Sequence, residues 1–280
     1  MQIIRDADAL EREIDALKAE GTIAFVPTMG ALHDGHMALV AEAKLRGDAV
    51  VASIFVNPTQ FGPSEDLAVY PRREAADAAL LDAAGVAILW APDVETMYPD
   101  GPEATIRAGK AAEGLDGASR PGHFDGVATV VARLFGQVRP DFAIFGEKDY
   151  QQLAVIRQMV REHDMPVEIV GVPTQRDADG LALSSRNAYL SEEERAAART
   201  LPRALGEAAQ AIEAGGDVGE ALDKARARLE GAGFDPVDYV ALHDAETLAP
   251  MHVLDRPARL LAAARMGRTR LIDNLPVTPA

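Results

Sequence analysis

The sequence predicts an α/β protein, in which a doubly wound parallel sheet is followed by a smaller C-terminal α+β domain. Continuous apolar runs of strand length alternate with helical periods up to residue 175. Such runs are typical of parallel strands covered by helices on both faces. From residue 176 onward the pattern changes to Ala-rich helices and then to strand-like runs. We therefore expect one domain over residues 1–175 and a second over residues 176–280.

The first domain is expected to build its sheet by right-handed crossovers, because strand and helix alternate along the chain. Its expected strands are Thr22–Pro27, Asp48–Val56, Val86–Trp90, Asp141–Phe145 and Val167–Val172. Its expected helices are Met37–Arg46, Arg73–Ala84 and Tyr150–His163.

The second domain is expected to begin within the polar stretch Thr174–Gly180. Its expected helices are Glu192–Ala214 and Val218–Gly231, and its expected strands are Tyr239–Leu242, Arg259–Ala264 and Thr269–Ile272.

Composition narrows the classes of function. The 28 Lys and Arg residues against 44 Asp and Glu residues give a net charge of 28 − 44 = −16, and the pI is near 4.8. Without a basic surplus we expect no nucleic-acid partner. The absence of cysteine excludes disulfides and thiolate chemistry. No signal-peptide pattern and no apolar run of about 20 residues is found, so we expect a cytoplasmic protein with no membrane partner.

The segment Pro27–His36 (PTMGALHDGH) places an H-x-G-H motif between an expected strand and a helix N-terminus. Free N–H groups and the helix dipole at such a terminus suit phosphate, and Gly30 and Gly35 allow close approach of the backbone. His33 and His36, three residues apart, can donate to the same phosphate. The same pair is also typical of a helix cap. A metal site is a third possibility, although no H-E-x-x-H pattern or third ligand is evident.

The segment Phe145–Gln152 (FGEKDYQQ) occupies the same kind of strand-to-helix junction. Lys148 can neutralise phosphate oxygens, Asp149 can accept from a ribose hydroxyl, and Gln152 lies one helical turn onward. The alternative is a helix capped by Asp149 beside a solvated lysine.

Residues 183–187 (LSSRN) combine two hydroxyls with the guanidinium of Arg186, which suits a mobile clamp on a triphosphate. The alternative is a serine cluster that caps a helix. Ser191 and Glu194 already form a capping-box pattern for the next helix, so we expect Ser184 and Ser185 to be spared from capping.

Gln60, in the segment 56–62 (VNPTQFG), can hold a hydroxylated carboxylate or its amine partner, or can be a polar turn residue beside Pro58. We expect His123, in the turn RPGHF, to be structural. By residue type alone, Met29 and Trp90 are typical of packing.

Together the strings PTMGALHDGH, FVNPTQFG, RPGHFDGV, FGEKDYQQL and DGLALSSRNAYL resemble the pantothenate synthetase (pantoate–β-alanine ligase) family. This family belongs with the Rossmann-like H-x-G-H nucleotidyltransferases. The resemblance covers nearly the whole chain, including the tail that contains RLIDN.

The resemblance implies an ATP-dependent ligation of pantoate and β-alanine through pantoyl adenylate, with release of AMP and pyrophosphate. It implies Mg²⁺ accompanying ATP, with no protein ligands that we can assign, and a homodimer in the cytoplasm whose C-terminal domain acts as a lid. Two other hypotheses stay open at this stage: another H-x-G-H nucleotidyltransferase that makes a dinucleotide, and a non-catalytic ATP-binding regulator.

The resemblance also implies roles for individual residues. The expected catalytic residues are His33, His36, Lys148 and Arg186, with His36 matching the family's proton donor. The residues expected to bind ATP are Met29, Gly30, Ala31, Leu32, His33, Asp34, Gly35, His36, Gly146, Glu147, Lys148, Asp149, Gln175, Leu183, Ser184, Ser185 and Arg186. Gln60 and Gln152 are expected to bind pantoate, with Gln60 near the incoming β-alanine. Thr59 stands where many relatives have Met, and Gln175 stands where an apolar residue is common.

Overall fold

The computed structural model describes residues 1–63 and 65–279. The chain divides into two compact units. The N-terminal unit comprises Met1–Glu147 and Val155–Pro173, and the C-terminal unit comprises Lys148–Ala154 and Thr174–Ala280. No helix within the described ranges is both long and apolar enough to cross a bilayer.

The strands of the described chain are β1 (Gln2–Ile4), β2 (Ile23–Thr28), β3 (Ala49–Ile54), β4 (Ile88–Trp90), β5 (Phe142–Gly146), β6 (Glu168–Val172), β7 (Phe234–Asp244), β8 (Ala258–Met266) and β9 (Thr269–Val277). The α-helices are α1 (Ala7–Glu20), α2 (Asp34–Arg46), α3 (Glu74–Ala83), α4 (Val94–Met97), α5 (Leu115–Ser119), α6 (His123–Val138), α7 (Tyr150–Glu162), α8 (Glu192–Ala198), α9 (Thr200–Glu213) and α10 (Val218–Gly231).

The N-terminal unit contains a six-stranded parallel sheet in the order β1-β4-β3-β2-β5-β6. The chain proceeds from β2 through β3 to β4 on one side and then returns to place β5 on the other side of β2. This reversal confirms the expected doubly wound fold. In such sheets, ligands bind where the carboxyl ends of the two central strands diverge. The segment PTMGALHDGH runs from the end of β2 into α2, and the segment GEKD begins at the last residue of β5, so these two motifs flank the reversal.

The core of this unit explains why β2 sits at the centre of the sheet. Residues Ile23–Val26 have no exposed surface, as expected for a strand covered by helices on both faces. Helix α6 had no counterpart among the sequence expectations, which placed only a turn before it. It begins after Gly122, whose φ of 81° closes that turn, and it buries an almost continuous apolar face. Strand β1 and helix α1 were likewise not anticipated.

The C-terminal unit contains the antiparallel sheet β7-β8-β9 and a core of apolar side chains, many of them alanine and leucine, from α9, α10 and the sheet. The single helix expected over Glu192–Ala214 was wrong, because Arg199 separates α8 from α9. Pro202 explains the break. It lacks the N–H that would bond to the carbonyl of Ala198, and its ring crowds that carbonyl. The expected capping box of Ser191 and Glu194 is present at α8.

Candidate active site

The loop between β2 and α2 uses both expected histidines to cap the helix. The Nδ1 atom of His33 accepts a hydrogen bond from the Gly35 N–H at 3.1 Å, and Nδ1 of His36 accepts from the His33 N–H at 3.3 Å. The two ring centroids lie 4.2 Å apart. Because Nδ1 is the acceptor in each ring, the neutral imidazole carries its proton on Nε2. The cap therefore fixes each ring as an Nε2–H donor, so capping and phosphate donation are compatible roles.

A buried carboxylate, which sequence reasoning missed, holds this loop from outside it. Asp77 on α3 is 2% exposed and accepts from the N–H groups of Ala31 at 2.8 Å and Leu32 at 2.9 Å. The Gly30 N–H donates to the hydroxyl of Thr28 at 3.1 Å. Gly30 and Ala31 have φ values of 81° and 52°, so the loop turns through two left-handed residues. These three N–H groups are thus engaged within the protein.

Replacing Asp77 with alanine is expected to lower the free energy of unfolding by about 2–4 kcal/mol, because two partly buried N–H groups lose their acceptor. Urea denaturation measures the loss. Asp82→Ala on the same helix is the matched control. Asp82 pairs with the N-terminal amine at 2.8 Å, but its side chain is 63% exposed, so a loss below about 1 kcal/mol is expected. Equal losses in the two variants would contradict the role of Asp77.

Gln60 is buried at the end of the 3₁₀ turn Pro58–Gln60, which begins four residues after the end of β3. Its Oε1 accepts from Nδ2 of Asn57 at 3.0 Å, and its Nε2 donates to the sulfur of Met29 at 3.3 Å. The Asn57 Oδ1 in turn accepts from the Tyr98 hydroxyl at 2.7 Å. The amide of Gln60 is therefore oriented by the protein. A thioether is a weak acceptor, so Nε2 can donate to a substrate oxygen instead.

The main chain of this turn is held by α6. The Asn57 amide donates to the Gly126 carbonyl at 3.2 Å, and Nδ1 of His123 lies 2.8 Å from the Gln60 carbonyl. A Cβ at Gly126 would lie 2.3 Å from the Thr59 carbonyl oxygen. Only glycine at this position lets α6 approach so closely. The structural role expected for His123 fits these contacts.

His123 is buried, and this burial together with the adjacent Arg120 guanidinium lowers its pKa to about 4. Nε2 of His123 lies 3.0 Å from Arg120, which forms an ion pair with Glu65 at 2.6 Å. The His123 imidazole becomes protonated near pH 6.5 in the unfolded chain, whereas in the folded chain it becomes protonated only near pH 4. The resulting stabilisation is complete above pH 6.5 and is lost as the pH falls toward 4.

Unfolding free energies of the unsubstituted protein and of His123→Gln, compared from pH 7.5 down to pH 4.5, test this linkage. The unsubstituted protein is expected to lose more stability over that range, by up to about 3 kcal/mol, because only it carries the titrating imidazole. Parallel curves, or His123 ring signals that titrate near pH 6.5 in NMR spectra, would contradict the expectation.

A cavity of about 370 Å³ opens within the N-terminal unit at the carboxyl ends of β2, β3 and β4. Met29, Gly30 and Phe55 line it together with Arg72 and Arg73. Its size falls within the range of small-molecule sites. The cavity thus adjoins the Met29 sulfur, which accepts a hydrogen bond from Nε2 of Gln60, and the loop that leads to His33.

The second motif straddles the two units. Gly146 ends β5 and Glu147 follows it in the N-terminal unit, whereas Lys148, Asp149 and Gln152 belong to the C-terminal unit. The Lys148 side chain is 19% exposed, and its ammonium lies 3.9 Å from the Asp149 carboxylate. This ion pair is at the limit of the usual distance, so it leaves the lysine charge only partly compensated. Gln152 lies half-buried on the first turn of α7.

The third motif follows a short hairpin in the C-terminal unit. The Leu183 N–H donates to the carbonyl of Gln175 at 2.9 Å, so these two expected ATP-binding residues face each other across the hairpin. The expectation that Ser184 is spared from capping was wrong. Its hydroxyl accepts from the Arg186 N–H at 3.3 Å and caps the 3₁₀ helix Ser185–Tyr189. A cap was needed here because a second, shorter helix precedes α8.

In the part of the chain that the structure describes, no three His, Asp or Glu side chains come together as a candidate metal cage. Asp34, the expected ATP-binding residue at the first position of α2, is exposed.

Comparison with known proteins gives one consistent family. The family model for pantoate-beta-alanine ligase matches residues 2–276. A pantothenate synthetase from Rhizorhabdus wittichii is 68% identical over the full length of both chains. The crystal structure of pantothenate synthetase from Thermus thermophilus is 51% identical with a TM-score of 0.93, and each chain is covered completely. The pantoate-beta-alanine ligase of Francisella tularensis, complexed with beta-gamma ATP and beta-alanine, is 34% identical, with a TM-score of 0.83 and 98% and 97% coverage.

Proposed function

Because the chain belongs to the pantoate–β-alanine ligase family, we propose that it condenses pantoate with β-alanine through a pantoyl adenylate formed from ATP. One observation carries the proposal: the two histidines of the H-x-G-H motif are capped through Nδ1, which leaves each as an Nε2–H donor at the N-terminus of α2. The ATP and β-alanine bound to the Francisella relative support these two substrates.

In the first step a carboxylate oxygen of pantoate attacks the α-phosphorus, and the bond to the bridging oxygen of pyrophosphate breaks. In the second step the amine of β-alanine attacks the acyl carbon, AMP leaves, and one proton is released. His33 and His36 donate hydrogen bonds to phosphate oxygens as negative charge develops on these oxygens. Such stabilisation of transition-state charge usually contributes most to catalysis. Lys148 and Arg186, assisted by Ser184 and Ser185, neutralise the departing pyrophosphate.

Gln60 and Gln152 are proposed to hold pantoate, and Gly146 and Asp149 to seat the nucleoside. The orientation of the Gln60 amide supports its role, because Asn57 fixes Oε1 and thereby directs Nε2. A pantoate oxygen is a stronger hydrogen-bond acceptor than the Met29 sulfur, so Nε2 of Gln60 can donate to pantoate without a change of rotamer. Mg²⁺ is expected as part of the ATP substrate, bound to phosphate oxygens.

Isotope exchange tests the adenylate. Labelled pyrophosphate is expected to exchange into ATP with pantoate present and β-alanine absent, because the first step is reversible on the enzyme. Omitting pantoate, or replacing it with lactate as a smaller hydroxy acid, is expected to abolish the exchange. Exchange without pantoate, or ADP as the nucleotide product, would overturn the proposal. Absence of any exchange would favour a dinucleotide-forming transferase or a regulator.

The cytoplasmic location, the homodimer and the lid role of residues 176–280 stay predictions.

A further inference from the structure

Two adjacent side chains on β9, Asp273 and Asn274, are almost completely buried, each 2% exposed. Neither was singled out as functional from the sequence. Burying a carboxylate and an amide is unfavourable unless both are fully hydrogen-bonded, so the partners of these two groups show what they stabilise. Both sets of partners lead to segments that the proposed function requires.

Asp273 anchors the hairpin that precedes Ser184. Its two carboxylate oxygens accept from the Arg176 guanidinium at 2.8 Å each, a bidentate pair in which the Asp273 side chain has no exposed surface. Arg176 also donates to the Gly180 carbonyl at 3.0 Å. The guanidinium therefore closes the hairpin from within while the carboxylate ties it to β9. Gln175 directly precedes Arg176, so the ion pair also fixes the position of the Gln175 main chain.

Asn274 anchors the start of α7. Its Nδ2 donates to the carbonyl of Lys148 at 2.9 Å, and its Oδ1 accepts from Nε of Arg259 at 2.6 Å. The Arg259 guanidinium lies 4.2 Å from the ring centroid of Tyr150, whose hydroxyl donates to the Ala245 carbonyl at 2.7 Å. The main chain of Lys148 and the ring two residues later are thus both fixed by the C-terminal sheet.

We propose that Asp273 and Asn274 are positioning residues, which together set the spacing between Lys148 and the hairpin that leads to Ser184 and Arg186. This inference rests on the proposed function, because it assumes that those segments contact the triphosphate. Consecutive residues on a strand point to opposite faces. Asp273 therefore holds the hairpin that leads to Arg186 from one face of β9, and Asn274 holds the main chain of Lys148 from the other face.

Asn274→Asp is the sharpest test, because it keeps the size and the acceptor for Arg259 but replaces the donor to Lys148 with an oxygen. The expected result is a fall in kcat/KM for ATP of about tenfold, comparable to the loss of one buried hydrogen bond. Asp273→Asn, which removes the charge opposite Arg176, is expected to lower it by a similar factor. Deuterium exchange at the amides of Asp177 and Leu183 is expected to rise in Asp273→Asn, since both amides are bonded within the hairpin.

Asp238→Asn is the matched control. Asp238 on β7 pairs with Arg270 on β9 at 2.7 Å, with side chains 17% and 16% exposed, and it touches neither segment. It is expected to lower Tm without changing kcat/KM for ATP by more than about twofold. The proposal is overturned if Asn274→Asp and Asp273→Asn fold and match the unsubstituted kcat/KM, or if Asp238→Asn loses as much activity at equal loss of Tm. Failure of the proposed function is separately visible, as an unsubstituted protein without pantoate-dependent exchange.

Discussion

Lys148→Met is expected to lower kcat/KM for ATP by about 100- to 1,000-fold, the range for removing one well-placed group that stabilises transition-state charge. Methionine retains an apolar stem of similar length, so packing changes little while the charge is lost. The net charge of −16 repels ATP as a whole, and therefore local cations must outweigh it within a Debye length of about 8 Å. Steady-state kinetics with ATP varied at saturating pantoate measures the effect.

Lys224→Met is the control for Lys148. Lys224 belongs to the same unit, is 74% exposed and pairs with Glu220 at 2.7 Å, one turn away on α10. Its loss removes the same global charge, so kcat/KM is expected to stay within about twofold. If both lysine variants lose activity alike, ATP affinity depends on overall charge and the phosphate role of Lys148 is wrong.

Two substitutions at His36 are expected to separate its capping role from its chemical role. Asparagine places an oxygen near the position of Nδ1, which preserves the acceptor for the His33 N–H and removes the Nε2–H donor. Glutamine at this third helical position is a usual capping-box residue, and its longer side chain can also bring an N–H toward the Nε2 position. We expect His36→Asn to lose about 100-fold or more in kcat while ATP affinity stays near that of the unsubstituted protein.

His36→Gln is expected to retain more turnover than His36→Asn, and its free energy of unfolding is expected to stay within about 1 kcal/mol of the unsubstituted protein, because glutamine can also accept from the N-cap N–H. The rate of pantoyl adenylate formation in a single turnover measures the chemical step, and the equilibrium dissociation constant of ATP measures ground-state binding. The reverse order of turnover in the two variants, or equal losses in binding and turnover, would assign His36 to structure or binding alone.

Local pattern predicted most of the fold. The doubly wound sheet follows from apolar runs that alternate with helical periods, and the H-x-G-H and GEKD segments follow the two strands where the topology reverses. The helix break at Arg199 was predictable in principle, since Pro202 stands in the sequence. It was missed because the alanine-rich periodicity on both sides dominated the interpretation.

What the sequence did not disclose are contacts between distant residues. Asp77 binds the Ala31 N–H across 46 positions, Arg176 meets Asp273 across 97, and Asn274 meets the Lys148 carbonyl across 126. Each donor or acceptor belongs to a common residue type, and its burial appears only when the chain folds. The roles of the motif residues themselves stay predictions for the experiments above.

The turn that carries Gln60 is held through main-chain and side-chain atoms alike: the carbonyls of Thr59 and Gln60 lie against Gly126 and His123, and the Thr59 hydroxyl donates to Oδ1 of Asn57 at 3.0 Å. That hydroxyl also lies 3.4 Å from the hydroxyl of Tyr98. Because Asn57 fixes Oε1 of Gln60, a residue without a hydroxyl at position 59 disturbs the network that orients Gln60. A library directed at this pocket should therefore offer only serine or threonine at position 59 and leave Gly126 untouched.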